Sequence, residues 1–345
     1  MLLCAVTFRR IISTCDERDR SSLLIFKQGV VDPSNRLSSW SSTHQDCCEW
    51  EEVFCDATDT IIGLVPKNWN QNGSESLKGE INLSSLLALE FLEDLELSFN
   101  DFERITTRSI NTSAVDAHTH LPANFSKLSF LDLSYNVHLH IDDLHWLSLF
   151  PSLTNLHLSG IHLLKVTNWV QLLASKHLEG LWLQDCNLTS LILSVENANF
   201  SSILDLSLGR NDFRNGLPNW LFNLSNNLLY LDLGYCNLRG PIPDFSGYRK
   251  IEMLDLSNNK LKGPIPDWLG QLHHLDRLNL SNNLLYGSIP YSLMGNNSSN
   301  LSELDISFNN LSGTLPKSLE RTPLITPSLA LCLLCYVTLL LTKMV

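Results

Sequence analysis

One pattern, L-x-x-L-x-L-x-x-N/C-x-L, recurs along this chain and constrains its fold more than any other feature. It starts at Leu92, Leu128, Leu153, Leu178, Ile203, Leu228, Ile251, Leu275 and Leu301. From Leu128 onward the starts lie 25, 25, 25, 25, 23, 24 and 26 residues apart. A fixed period of this length means stacked coils, each too small to bury its own apolar face and each covered by the next. Leucine supplies that face, at 70 of 345 residues. With 44% hydrophobic residues the chain has ample core, which excludes disorder. The balance of 24 Lys plus Arg against 36 Asp plus Glu gives a formal charge of −12. Without a dense basic cluster, nucleic acid is excluded as the main partner.

The period and consensus are those of leucine-rich repeats. Each motif predicts a short strand whose alternate leucines point inward. The expected architecture is therefore an α/β solenoid, a curved superhelix of about ten units over residues 61–320. A degenerate tenth unit is expected between Ile61 and Phe91, and one unit is expanded, because Leu92 and Leu128 stand 36 residues apart. Asn100, Asn136, Asn211, Asn259, Asn283 and Asn309 occupy the turn after the strand. A buried amide there can bond backbone groups that the bend leaves unpaired. Ile161 interrupts this ladder and is expected to weaken its turn. Cys186 and Cys236 fill the same slot two repeats apart. Strand spacing puts them roughly 9–10 Å apart, beyond the ~7 Å that a disulfide spans, so both should be buried thiols.

Ahead of the repeats, residues 15–60 read as an N-terminal cap. Asp16 can cap a helix over about Glu17–Val30, with Leu23, Leu24 and Phe26 among its apolar residues, and Asp32–Pro33 stops it. Cys15, Cys47, Cys48 and Cys55 allow three connectivities. A bond between neighbours Cys47 and Cys48 would be strained, which leaves two. Of these, Cys15–Cys47 with Cys48–Cys55 is favoured, closing one long and one short loop. Paired cysteines imply an oxidising compartment.

The second halves of four repeats carry Leu238–Pro243, Leu261–Pro266, Leu285–Pro290 and Leu311–Pro316, an L-x-G-x-I/L-P run that resembles the plant-specific repeat class. Gly permits the turn and Pro ends the short second strand. Asn219–Leu221 and Asp267–Leu269 should cover the convex side. The cap residues Cys15, Leu23, Leu24, Phe26, Leu37–Trp40, Cys47, Cys48, Trp50, Val53, Cys55 and Asp56 resemble those of plant leucine-rich-repeat receptor-like proteins. Asp142–Ser148, Ser159–Leu163 and Thr167–Trp169 are similar to the subgroup around the ethylene-inducing-xylanase receptors. The resemblance covers about residues 15–320. It implies a cell-surface defence receptor ectodomain without its own kinase, signalling through a partner receptor kinase. The chain departs from that family in four ways. Glu52 stands where the cap usually has Gly, one repeat is expanded, the array is short, and it lacks a C-terminal cysteine-bearing cap. A truncated chain is expected.

Residues 1–14 make a weak or truncated signal segment, since Arg9–Arg10 interrupt an apolar start. Residues 324–342 form an apolar tail at the lower edge of bilayer-spanning length, a candidate transmembrane anchor. The expected location is the extracellular face of the plasma membrane; the alternative is secretion to the cell wall.

The outward strand positions face the concave side. Acidic and neutral residues dominate, except for a middle stretch of His157, Trp182, Gln184, Asp185, Arg210, Tyr230 and Tyr235. Aromatic and Arg side chains anchor protein interfaces, so this patch is the expected site for an extracellular peptide or microbial protein. Sequons are dense, and glycans are expected at Asn72, Asn111, Asn124, Asn187, Asn199, Asn223 and Asn297. The pairs His118/His120, His138/His140 and His273/His274 lack a third ligand, so no metal and no cofactor are expected. No phosphate-cradling or kinase motif is present, and no enzyme activity is expected. The competing function is a secreted inhibitor of a microbial cell-wall-degrading enzyme, resembling polygalacturonase-inhibiting proteins. A third is a truncated receptor fragment with no role of its own.

Overall fold

The structure is a computed structural model that describes residues 15–69, 73–107, 127–166, 169–189, 200–224, 226–293 and 301–313. The chain divides into two compact units, Met1–Asp132 with Ser148–Ser152, and Leu133–Leu147 with Leu153–Val345. The segments 1–14 and 324–342 lie outside the described residues.

The first unit opens with the cap. Asp16 accepts from the Arg18 amide at 2.8 Å and starts a helix over Glu17–Gln28. The helix ends two residues short of Val30. The Gly29 amide turns back to Phe26 O, and the β-branched pair Val30–Val31 becomes a strand antiparallel to Lys78–Asn82. Phe26, Trp40 and Trp50 pack in succession, with centroids 6.3 and 5.9 Å apart. Cys15 pairs with Cys47 and Cys48 with Cys55, with Cα separations of 5.5 and 5.6 Å. Glu52 adopts φ +66°, the left-handed conformation that Gly takes without strain. Its carboxylate meets Arg36 at 2.7 Å, with both side chains largely buried.

Val53–Cys55 pairs antiparallel with Ile61–Leu64, the strand of the degenerate unit. That strand runs parallel to Asp94–Glu96, which in turn runs parallel to Phe130–Asp132. The two halves of the widened repeat are thus still strand neighbours.

The second unit stacks seven three-residue strands in parallel: Asn155–His157, Gly180–Trp182, Asp205–Ser207, Tyr230–Asp232, Met253–Asp255, Arg277–Asn279 and Glu303–Asp305. The central leucines, such as Leu206, Leu231 and Leu254, are fully buried, each worth roughly 1.5–3 kcal/mol. A second parallel sheet joins Arg239–Gly240, Lys260–Gly263, Leu284–Gly287 and Asn310–Leu311. Three of these strands already end at their glycines, Gly240, Gly263 and Gly287, all at positive φ, ahead of the prolines expected to end them. Pro218 and Pro266 instead lead into 3-10 turns over Asn219–Asn223 and Asp267–Gln271, which bury Trp220, Leu221 and Leu269.

Asparagine fills six of the nine slots: Asn100, Asn136, Asn211, Asn259, Asn283 and Asn309. Asn259 Oδ1 accepts from the amides of Cys236 and Leu238 at 3.0 and 2.9 Å. Its Nδ2 donates to Leu233 O, Leu256 O and Ser257 O at 2.8, 3.0 and 3.0 Å. Asn211 repeats the arrangement two slots earlier. The two cysteines are free, buried thiols. They keep part of the pattern, since Cys186 Sγ donates to Leu158 O and Cys236 Sγ to Leu208 O, at 3.2 and 3.3 Å. Ile161 can do neither, and its turn is held by its own amide on Leu158 O. The residue before each slot is left-handed: Phe99, Tyr135, Gly160, Asp185, Arg210, Tyr235, Asn258, Asn282 and Phe308.

Candidate functional site

The middle repeats of the second unit bring most of the expected residues together on the strand face. Gly180, Asp205 and Tyr230 lie side by side in register, as do Trp182, Ser207 and Asp232. Ser207 is too small to separate its neighbours. The Trp182 ring therefore passes over it and stacks on Tyr230, with centroids 5.2 Å apart and planes at 17°. His157 joins from the other side, 5.2 Å from Trp182 at 40°. The result is a continuous aromatic shelf across four strands.

Next to it lies Asp232, only 7% exposed and missed in the sequence reading. Its Oδ2 accepts from Gln184 Nε2 at 2.5 Å and from Ser207 Oγ at 2.8 Å, while Oδ1 accepts from the Gly234 amide at 2.8 Å. Gln184 reaches across from two repeats earlier. A Cβ on the intervening Gly209 would stand 2.7 Å from Asp232 Oδ2, so a side chain there would displace the carboxylate. Ser207 and Gly209 thus form the recess over which both flanking repeats meet.

Arg210 and Tyr235 occupy left-handed positions at the rim, with the guanidinium carbon 4.7 Å above the Tyr235 ring, a cation–π pair. Asp185 is exposed at the same rim and contributes its backbone, donating to Gly209 O. The face is acidic. Burial, reinforced by Asp232, Asp255 and Asp205, pushes the Tyr230 hydroxyl well above its ordinary pKa. Burial first, then Glu252, raises Asp205. Asp255 is raised chiefly by burial, with Asp232 adding to it.

Of the expected glycan sites, Asn187 is exposed, as is Asn223 at the end of its 3-10 turn. Asn72, Asn111, Asn124, Asn199 and Asn297 lie outside the described residues. Among the described residues no cluster of three metal-binding side chains occurs, and no helix is long and apolar enough to cross a membrane.

Stacked parallel strands, an asparagine ladder and a disulfide-bonded cap define a leucine-rich-repeat solenoid. The leucine-rich-repeat N-terminal domain model matches residues 16–56, and leucine-rich-repeat models match 227–248, 244–285 and 300–321. The chain belongs to the leucine-rich-repeat proteins. It is similar to Receptor-like protein EIX1 of Solanum lycopersicum, 34% identical over 68% of this chain and 25% of that protein. Receptor-like protein EIX2 of the same organism is 32% identical over 70% of this chain and 26% of its own length. The chain thus spans about a quarter of the curated relatives it matches. Among solved structures, the Arabidopsis receptor kinase HAESA, in complex with the peptide hormone IDA and the co-receptor SERK1, superposes with a TM-score of 0.52. That match has 26% identity and covers 86% of this chain and 54% of HAESA. What the family models match is cap and repeat.

Proposed function

We propose that this chain is the extracellular recognition module of a plant cell-surface receptor-like protein. It binds a peptide or microbial protein on the concave strand face and signals in defence through a partner kinase. The observation that carries this reading is the His157–Trp182–Tyr230 shelf, a large aromatic surface held open on the strand face. Buried aromatic anchors of this kind dominate interface energetics. The kinship with EIX1 and EIX2 supports a receptor-like role. HAESA, seen with a peptide and a co-receptor, supports a peptide ligand and a partner kinase in general.

The test is a leaf-cell assay of the full chain challenged with microbial culture filtrates. Wild type should raise the oxidative burst, and Trp182→Ala/Tyr230→Ala should abolish that gain at equal expression. Equal bursts from the two would remove the strand face from the reading. Alkaline carbonate extraction separates the locations: retention in the membrane pellet supports an anchored receptor, and complete release supports secretion to the wall.

A further inference from the structure

Past the ladder slot, the later repeats of the second unit carry the short strands of the second sheet, as in Arg239–Gly240 just after Cys236. The earlier repeats do not. Residues 137–142 and 162–165 of the same unit form no strand. Where the second sheet is missing, the flank sinks into a groove of about 260 Å³. Val137 and Leu164 line it and stay 58% and 51% exposed. Around them stand His140, His162 and the ion pair of Lys165 with Asp142 at 3.6 Å. Exposed apolar side chains are ordinary when scattered singly. Two that share one concavity, with polar groups at its rim, have the make-up of a ligand seat.

Asn187 lines the same groove. It is exposed and left-handed at φ +57°, and its side chain makes no hydrogen bond among the described residues. The equivalent residue two repeats on, Asn237, has nearly the same backbone conformation at φ +55°, but its Nδ2 donates to Asp212 Oδ1 at 3.5 Å. One repeat before Asn187 the place of Asp212 is taken by His162, which takes no such bond. Asn187–Leu188–Thr189 is an acceptor sequence for N-linked sugar. The two cap disulfides imply folding in the oxidising compartment where that sugar is added.

The chemistry of an N-acetylhexosamine suits the groove. Its ring has an apolar face of C–H groups and an acetamide methyl, bordered by hydroxyls. The apolar face can cover Val137 and Leu164 while the hydroxyls meet the two histidines, Lys165 and Asp142. Contacts too weak to hold a free sugar suffice for one already tethered beside them, because the tether sets a high effective concentration.

We propose that this groove is the seat of a glycan carried by the chain's own Asn187, its first two sugars covering Val137 and Leu164 and completing the flank where the second sheet is missing. The transfer joins the Asn187 amide nitrogen to the anomeric carbon of a lipid-diphosphate-linked oligosaccharide. The anomeric C–O bond breaks, the lipid diphosphate leaves with its electron pair, and the amide nitrogen gives up one proton to solvent. The seat lies past the ladder turn and not on the strand face, so it goes beyond the recognition reading and does not rest on it.

The test uses the full chain, expressed behind a secretion leader in plant cells whose mannose trimming is inhibited. Every glycan then stays sensitive to endoglycosidase H, which cuts between the first two sugars. Mass spectrometry of the Asn187 glycopeptide should find the site occupied. In the native protein, cleavage there should be roughly tenfold slower than in Val137→Ser/Leu164→Ser. Hydroxyl-radical labelling of Val137 and Leu164 should rise about threefold in Asn187→Gln, a comparison that leaves both wall residues in place. Circular dichroism confirms that each variant folds. An unoccupied Asn187 would overturn the proposal. Equal cleavage rates in the two folded proteins, or equal labelling with and without the sugar, would describe a glycan extending into solvent and would overturn it too.

Discussion

Arg36 Nη1 donates to Asn100 Oδ1 at 3.1 Å, tying the cap directly to the first amide of the asparagine ladder. The same guanidinium bonds Glu75 O and Lys67 O at 3.3 and 2.8 Å and pairs with Glu52 at 2.7 Å. One side chain thus links the cap, the degenerate unit and the first regular repeat.

Arg36→Ala should therefore destabilise the first unit by about 3 kcal/mol, mostly through the largely buried carboxylate it strands. Burial already holds the Glu52 carboxyl above its ordinary pKa despite Arg36. Arg36→Ala/Glu52→Gly should recover part of the loss, because it removes the orphaned charge and relieves a left-handed residue worth about 1–2 kcal/mol. Chemical denaturation of the single and double variants checks this. A double variant no more stable than Arg36→Ala would show that the carboxylate is not the source of the cost.

Asn259→Ala removes the acceptor of the Cys236 and Leu238 amides and a donor to Leu233 O inside the core, while Leu256 O keeps Asn283 Nδ2 and Ser257 O keeps the Tyr235 amide. A cost of about 3 kcal/mol or more is expected, and hydrogen exchange should accelerate first at the Cys236 and Leu238 amides. Uniform loss of protection across the second unit, with no early exchange at these two, would contradict a local role.

Burial pushes the thiols of Cys186 and Cys236 up to about 12, so neither is a thiolate at physiological pH. Iodoacetamide at pH 8, read out by peptide mass spectrometry, should leave both unmodified in the native protein and modify both after unfolding. Modification under native conditions would mean that the slot opens.

Asp255 supplies the pH dependence. Its folded pKa lies above its unfolded one, so the folded state binds the proton more readily and the ionised group subtracts from stability at neutral pH. That penalty fades as pH falls through the raised folded pKa toward the ordinary carboxylate value. Asp255→Asn should thus stabilise at pH 7 by about 0.5–1 kcal/mol, with the gain shrinking in acid. Thermal melts across pH 3–7 read this directly, and a gain that grows in acid would reverse the sign.

Much of this was legible in the sequence because repetition carries geometry. Nine strand positions and the asparagine slots follow from spacing and residue type alone, whereas the four cap cysteines leave two pairings open, of which the favoured one is found. The sequence places Val30 at the end of a helix because the partner of the Val30–Val31 strand, Lys78–Asn82, is far away in the chain and nothing local announces it. The aromatic residues of the shelf stood out as types, but their stacking depends on Ser207 and Gly209 being small, and small residues give no signal on their own. Asp232 was hidden for the opposite reason. It looked like one more common aspartate until its partners, 25 and 48 residues upstream, were known.

The left-handed residue ahead of each ladder slot has a consequence for diversification. Tyr135, Asp185, Arg210, Tyr235 and Phe308 have unrelated side chains yet share one backbone conformation and point outward from a turn that the neighbouring slot secures. Unbranched residues such as Tyr, Phe and Arg meet a similar penalty there, Asp and Asn a smaller one and β-branched residues a larger one, so exchange among residues that are not β-branched leaves the fold nearly as stable as before. The rim is therefore a row of interchangeable sockets, where a lineage can rewrite what it recognises without rebuilding the scaffold beneath.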